Sequence, residues 1–322
     1  MKKILVLFGG NSYEYYISCL SAQTILENID KRKYDVTAAG ITKDNNWYIF
    51  NDNLDILTND FTKGKITKID NIIEFLKQFD KVFPIMHGNP LENGNLQGLF
   101  NLFNINYVGT DLLGSIISYD KDITKKICEK YNIPQVPYIT ITDNKTINNI
   151  DLSFPVIIKP AKCGSSIGIN IANNIKELNK YVKEAFKYDN KVIIEKFIKS
   201  RELECAVLED NKLKVSPVGE IKSVNTFYDY EAKYEKDSEL LIPAPIDKNL
   251  TKEIQNLALK IFKILELKDL ARIDFLYDYN NDILYFNEVN TMPGFTKISM
   301  YPMLFNEKGI KIKDLITKLI EN

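Results

Sequence analysis

The chain is predicted to be a multidomain protein of mixed α/β and α+β class, and three observations predict it. Short apolar runs alternate with helical patterns through the first third, as in a parallel sheet with helices on both faces. At 322 residues, 45% of them apolar, the chain has room for two or three domains with sizeable cores. The last third carries two strand patterns separated by a short polar turn, which reads as an antiparallel hairpin.

The first apolar run, Ile4–Phe8, is a buried strand. The opening MKKILVLFGGNS resembles a signal peptide, but the apolar stretch is short and runs into glycines rather than a cleavage site. Gly9 to Ser12 form a tight turn and Ile17–Ile29 a helix. Thr37–Ile41 and Trp47–Phe50 read as strands, Ile72–Gln78 as a helix and Lys81–Met86 as another strand. Folds of this kind place ligands at the turn after the first strand. That turn is no G-x-G-x-x-G fingerprint, and the chain holds no Walker A motif. A conventional dinucleotide dehydrogenase and a P-loop ATPase are thereby disfavoured. Glu14 opens the first helix, where the helix dipole favours a carboxylate. It reads either as a simple N-terminal charge or as a group for a substrate ammonium. His87 is the only histidine and heads the loop HGNPLENGNLQG. A lone histidine is usually structural, but the carboxyl end of a strand beside Gly88 suits a site residue.

Further on, Asp120-Lys121-Asp122 precede a helix ending near Tyr131, and Ile133-Pro134 lead into the strand Tyr138–Thr142. The strand PVIIKP brings Lys159 to its end, and AKCGSSIGI follows. A lysine beside a small flexible loop suits phosphate, because the ammonium neutralises oxyanion charge while the loop offers N–H and hydroxyl donors. An ordinary hairpin turn is the plainer alternative. KVIIEKFI ends on Glu195 and Lys196, and Arg201-Glu202 follow; carboxylates there can accept from ribose hydroxyls or an adenine amino group.

The strands ARIDFLYD and DILYFNEVN are joined by Tyr279-Asn280-Asn281. Alternation puts Arg272 and Asp274 on one face, and Glu288 and Asn290 likewise. A hairpin can unite the pairs into two carboxylates and an amide oxygen beside an arginine. Such hard oxygen ligands suit Mg²⁺ shared with nucleotide phosphates. The alternative is a surface hairpin with solvated acids, against which stands the interruption of an apolar strand by Glu288 and Asn290 just before a Pro-Gly turn.

The formal net charge of −1 points to no polyanionic partner such as nucleic acid, and no apolar run reaches transmembrane length. The four cysteines have no metal-site or CxxC spacing, so free thiols in a reducing cytosol are expected. Abundant Lys, Ile and Asn carry no functional message.

Together, GGNSYEYYISCLSA, HGNPLENGNLQG, YDKDITK, IIKPAKCGSSIGI, EKFIKSREL, FYDYEAKY, ARIDFLY and NEVNTMPGFTKISMYP resemble the D-alanine–D-alanine ligase family of the ATP-grasp superfamily, in the family's order and over nearly the full chain. The resemblance implies an ATP-grasp fold with three parts: a Rossmann-like domain over residues 1–118, a central subdomain over 119–202, and a C-terminal subdomain over 203–322 with a mobile lid at about 223–240. It implies that Lys121, Lys159, Glu195, Lys196, Ile198 and Glu202 surround ATP and that Asp274, Glu288 and Asn290 hold two Mg²⁺ ions, with Mn²⁺ as a substitute. Glu14 would bind the ammonium of the first D-alanine with His87 nearby, while Ser165 and Tyr234 would link to Glu14 and close the site. Lys233 would reach the γ-phosphate, Arg272 and the Gly294 backbone would stabilise an oxyanion, and Ser299 and Met300 would sit beside the second amino acid. A cytoplasmic homodimer acting on D-amino acids in peptidoglycan synthesis is the family's pattern.

The chain departs from that pattern at Leu91 to Gly94, where Gly-Glu-Asp-Gly is usual: Glu92 remains, but Asn93 replaces the aspartate. Lys162-Cys163 and Tyr15-Tyr16 are also unusual. Tyr234 disfavours a D-lactate acceptor, since those ligases commonly have histidine there. Met300 favours D-alanine over D-serine, although GGNSYEY and GITKDNNWY have some character of the D-serine ligases. A non-catalytic nucleotide-binding protein of the same fold is the reading from a different class, and the complete set of lysines, arginine and oxygen ligands argues against it.

Overall fold

The computed structural model describes residues 1–58, 60–222 and 239–322. Its first sheet has the order β4-β3-β2-β1-β5, built from β1 (Lys2–Gly9), β2 (Tyr34–Ile41), β3 (Trp47–Phe50), β4 (Ile66–Lys68) and β5 (Lys81–Ile85). β1 is an interior strand and its run Ile4 to Phe8 is wholly buried, as an unbroken apolar strand must be. It pairs in parallel with β2 and β5, with the helix α1 (Tyr15–Asn28) in the crossover to β2.

The expected parallel sheet stops at one edge: β3 pairs antiparallel with β2, and β4 antiparallel with β3. The link from Thr42 to Asn46 is a turn, closed by Thr42 N–H to Asn46 O at 2.9 Å with Asn45 left-handed at φ 62°. So short a link allows a hairpin, whereas a parallel return needs a dozen or more residues.

The helix α2 (Ile72–Leu76) leads from β4 to β5, and α3 (Asn95–Leu102), α4 (Leu112–Tyr119) and α5 (Lys121–Lys130) lead to the next sheet. Asp120 ends α4 and caps α5, its carboxylate accepting from the N–H groups of Asp122 and Ile123. The second sheet, β6-β9-β7-β8, is antiparallel throughout: β6 (Tyr138–Ile141), β7 (Val156–Pro160), β8 (Asn170–Ala172) and β9 (Val192–Lys196). The helix α6 (Ile175–Ala185) buries Leu178, Val182 and Ala185, one helical stripe, in the core formed with Val156, Ile158, Val192 and Ile194.

The third sheet, β12-β11-β10-β13-β14, is also antiparallel: β10 (Arg201–Asp210), β11 (Lys212–Lys222), β12 (Glu239–Leu241), β13 (Leu270–Asp278) and β14 (Ile283–Asn290). β10 is buried on both faces. Leu203, Cys205 and Val207 join the core under α7 (Lys248–Ile264), while Ala206 and Leu208 join the core of the first sheet, α8 (Met300–Glu307) and α9 (Ile312–Glu321). The chain's end is thus tied to its beginning: Phe295 meets Phe83 edge-on at 6.0 Å, and Tyr34 donates to Glu321 at 2.7 Å.

Gly9, at the end of β1, has φ +91°, and a Cβ there would lie 2.2 Å from the Ile41 carbonyl oxygen. Both the conformation and the close approach of two backbones exclude a side chain. Gly9→Ala is expected to lower unfolding stability by more than about 1 kcal/mol, measured by urea denaturation.

Candidate active site

The hairpin β13–β14 forms as its sequence suggests, with Arg272 opposite Asn290 and Asp274 opposite Glu288. The ladder then shifts between Asp274 and Phe275, so that Phe275 faces Phe286 and Asn287 is the extra residue of a bulge. This bulge reconciles two demands. Phe286 and Glu288 would share a face in a regular strand. Instead Phe286 is buried in the core with Phe275, while Glu288 lines a cavity.

That cavity, of about 440 Å³, lies between the second and third sheets. The third sheet supplies Arg272, Asp274 and Glu288, and the start of β10 supplies Glu202. The second sheet supplies Lys159 from β7 and Glu195 and Lys196 from β9, followed by Ile198. Lys121 and the loop residues Gly164, Ser165 and Ser166 close another side. A smaller cleft of about 50 Å³ shares Lys121, Ser165 and Glu288 with it and adds Glu14, Glu92, Ser118 and Asn290. The two spaces therefore meet at Lys121, Ser165 and Glu288. A large cavity with lysines and backbone donors suits a nucleotide, and a small cleft lined by the carboxylates Glu14, Glu92 and Glu288 suits an amino acid's ammonium.

Several of the charges around the larger cavity are paired. Lys159 Nζ lies 2.6 Å from one Glu195 oxygen and Lys125 Nζ lies 2.7 Å from the other. Burial would raise the Glu195 carboxyl, but the two ammonium groups outweigh it and hold it down to about 2. Arg272 donates to both oxygens of Asp274, at 2.8 and 2.7 Å, and its Nε lies 2.9 Å from Glu204. Asp274 and Glu204 thus keep the buried guanidinium charged against desolvation. Asn290 donates to Asp274 at 3.0 Å, and Lys121 Nζ approaches Glu288 at 3.5 Å while donating to the Cys163 carbonyl at 2.7 Å.

Among the described residues no three His, Cys, Asp or Glu side chains cluster as a metal site. Two carboxylates and an amide oxygen do suit Mg²⁺ completed by phosphate oxygens, the usual coordination of that ion with nucleotides. The donor set therefore fits the metal.

Other expected site residues lie behind the cleft or beyond the described residues. His87 lines neither space. Its Nδ1 is 2.9 Å from the Met292 carbonyl, which can only accept, so Nδ1 carries the proton. Its Nε2 is 3.3 Å from Ser21 Oγ, which accepts from the Phe295 N–H at 3.1 Å. His87 thus ties α1 to the loop before α8. In that loop a Cβ on Gly294 would lie 2.6 Å from Ser299 Oγ, and Ser299 Oγ accepts from the Thr296 N–H at 3.0 Å. Met300 is buried against Gly219, lining neither space. Lys233, Tyr234 and nearly all of the expected lid lie outside the described residues.

The assembled cleft adds Ser118 and Glu92, which sequence reasoning left without a role, beside Ser165, which the resemblance links to Glu14. Ser118 and Ser165 are each 6% exposed, and neither hydroxyl has a hydrogen-bond partner among the described residues. Ser165 also has φ +50°, a strained conformation for a serine. Glu92 accepts from the Gly88 N–H at 2.6 Å. Burial, with Glu14 nearby, raises its carboxyl from 4.5 to about 7. No local pattern announced Ser118; the signal for Glu92 was its persistence within the altered loop.

Because the folded chain binds the Glu92 proton more tightly than the unfolded chain does, this group's contribution to stability falls as pH rises from about 4.5 to about 7. Glu92→Gln removes that fall. The variant is expected to gain stability relative to the native chain between about pH 5 and about pH 8, measured by urea denaturation at both values.

The family model described as D-ala D-ala ligase N-terminus matches residues 3–110, and the model described as D-ala D-ala ligase C-terminus matches residues 127–321. A D-alanine–D-alanine ligase of Caldicellulosiruptor bescii is 43% identical, the match covering 99% of this chain and 94% of the relative. One of Acetivibrio thermocellus is 41% identical, covering 99% and 95%. Among solved structures, the VanG D-Ala:D-Ser ligase of Enterococcus faecalis has a TM-score of 0.87 at 35% identity, covering 99% of this chain and 98% of that one. The D-alanine–D-alanine ligase of Coxiella burnetii has a TM-score of 0.88 at 31% identity, covering 99% and 93%.

Proposed function

The chain belongs to the D-alanine–D-alanine ligase family, and on that premise we propose that it is an ATP-dependent ligase that joins two D-alanines for peptidoglycan synthesis. The observation that carries this reading is the meeting of a nucleotide-sized cavity and a small carboxylate-lined cleft at Lys121, Ser165 and Glu288.

A carboxylate is a poor acyl donor, so that of the first D-alanine takes the γ-phosphoryl group of ATP, releasing ADP, and the amine of the second attacks the acyl carbon, forming the amide and expelling inorganic phosphate. In our assignment Lys121 and Lys159 meet the phosphates, Lys196, Ile198 and Glu202 border the rest of the nucleotide, and Glu195 holds Lys159 in place. Asp274, Glu288 and Asn290 would hold two Mg²⁺ ions, which when bound neutralise phosphate charge. Glu14 takes the ammonium of the first D-alanine, with Glu92 beside it and Ser165 at the boundary. Arg272, with the Gly294 backbone, meets the charge that develops on the tetrahedral oxygen. His87 holds the loop bearing Gly294 against α1. Lys233 and Tyr234 are assigned to the γ-phosphate and to closure by resemblance alone, and so is the homodimer. No helix among the described residues is long and apolar enough to cross a membrane, and we place the enzyme in the cytoplasm.

The reading is tested by phosphate release from ATP with no amino acid, with D-alanine and with D-serine. Release that depends on D-alanine is expected; release indifferent to every D-amino acid overturns the proposal. Glu288→Gln is expected to cut D-alanine-dependent release by about a hundredfold or more with an unchanged circular dichroism spectrum. A native rate at saturating Mg²⁺ removes Glu288 from the metal site.

A further inference from the structure

Lys125 is 2% exposed and lines neither the cavity nor the cleft. It sits on α5, one turn after Lys121, with its ammonium 4.9 Å from the Tyr138 ring centroid and 2.7 Å from Glu195. Tyr138 lies directly opposite Glu195 in the β6–β9 ladder, so ring and carboxylate hold the ammonium together. The other Glu195 oxygen holds Lys159, which does line the cavity.

The sign of this buried triad decides what it can bind. With Lys125 present, two cations share one anion and one positive charge remains in surplus. Without it, Lys159 and Glu195 form a neutral pair, and a phosphate has to compete with Glu195 for the same ammonium. In a low-dielectric interior that difference is large.

We propose that Lys125 is a positioning residue which, by sharing Glu195, leaves the Lys159 ammonium available to the anionic phosphates of the nucleotide. The proposal deepens the assignment above and rests on Lys159 meeting phosphate.

The test is a steady-state comparison of KM for ATP and kcat in the native enzyme and in Lys125→Met, Lys125→Arg, Lys159→Met and the double variant Lys125→Met/Glu195→Gln. Lys125→Met is expected to raise KM for ATP about tenfold or more, the loss of one charge-assisted contact, with a smaller change in kcat at saturating ATP. Lys125→Arg retains most of the affinity. The double variant removes one charge of each sign, restores the surplus and lowers KM below that of Lys125→Met, short of the native value because Glu195 no longer holds Lys159. A purely structural lysine predicts the opposite, a double variant worse than Lys125→Met. Native KM in Lys125→Met beside a raised KM in Lys159→Met overturns the proposal alone. Native KM in Lys159→Met overturns the phosphate assignment and the proposal with it. If Lys125→Met does not fold, the double and arginine variants decide: a KM raised in the double variant as far as in Lys159→Met overturns the proposal.

Discussion

The pairing of Asp274 with Glu288 across the β13–β14 ladder is the constraint on which the rest of the site depends. Two carboxylates opposite each other on adjacent strands repel. The hairpin is tolerated because each has its own compensation: Arg272 and the Asn290 amide on Asp274, and Lys121 near Glu288. Lys121 comes from α5 and is fixed by the Cys163 carbonyl of the glycine-rich loop. One strand register therefore fixes where the second sheet's loop and the third sheet's acids meet.

The two buried clusters on the cavity are built in opposite senses. Lys125 and Lys159 share the single carboxylate of Glu195, whereas the single guanidinium of Arg272 meets both Asp274 and Glu204. Under the proposed assignment phosphate oxygens would meet the cationic side and a divalent cation the acidic side, so a metal–nucleotide complex would engage both walls where either component alone engages one.

The fold was legible where the pattern is local. The alternation of Ile4–Phe8 with the first helix gave the parallel centre of the first sheet, and the polar residues in DILYFNEVN gave the shared face of Arg272, Asp274, Glu288 and Asn290. It was not legible where distant strands decide. β3 was read into the parallel sheet, although its short link to β2 forces a hairpin. Lys125 looks like any helix lysine until β9, far along the chain, brings Glu195 beneath it. The bulge at Asn287 has no sequence mark, yet it alone lets Phe286 and Glu288 face opposite ways. Met300, expected beside the second amino acid, also packs on Gly219 of β11, a contact with no mark in the local sequence.

Among the described residues two buried hydroxyls at the cleft, those of Ser118 and Ser165, have no hydrogen-bond partner. A buried hydroxyl without a partner costs about 1–3 kcal/mol, and natural interiors contain few of them. Here Ser118 lines the small cleft and Ser165 its junction with the large cavity, beside Glu14 and Glu92. A bound amino acid has three ammonium donors and a carboxylate, which two acids and two hydroxyls can engage together. Ser21, by contrast, is buried behind the cleft with His87 and Phe295 as partners, and it serves to hold the wall. Among the described residues the same residue type is thus satisfied behind the cleft and without a partner where it lines the cleft, which is what the proposed binding of an amino acid there calls for.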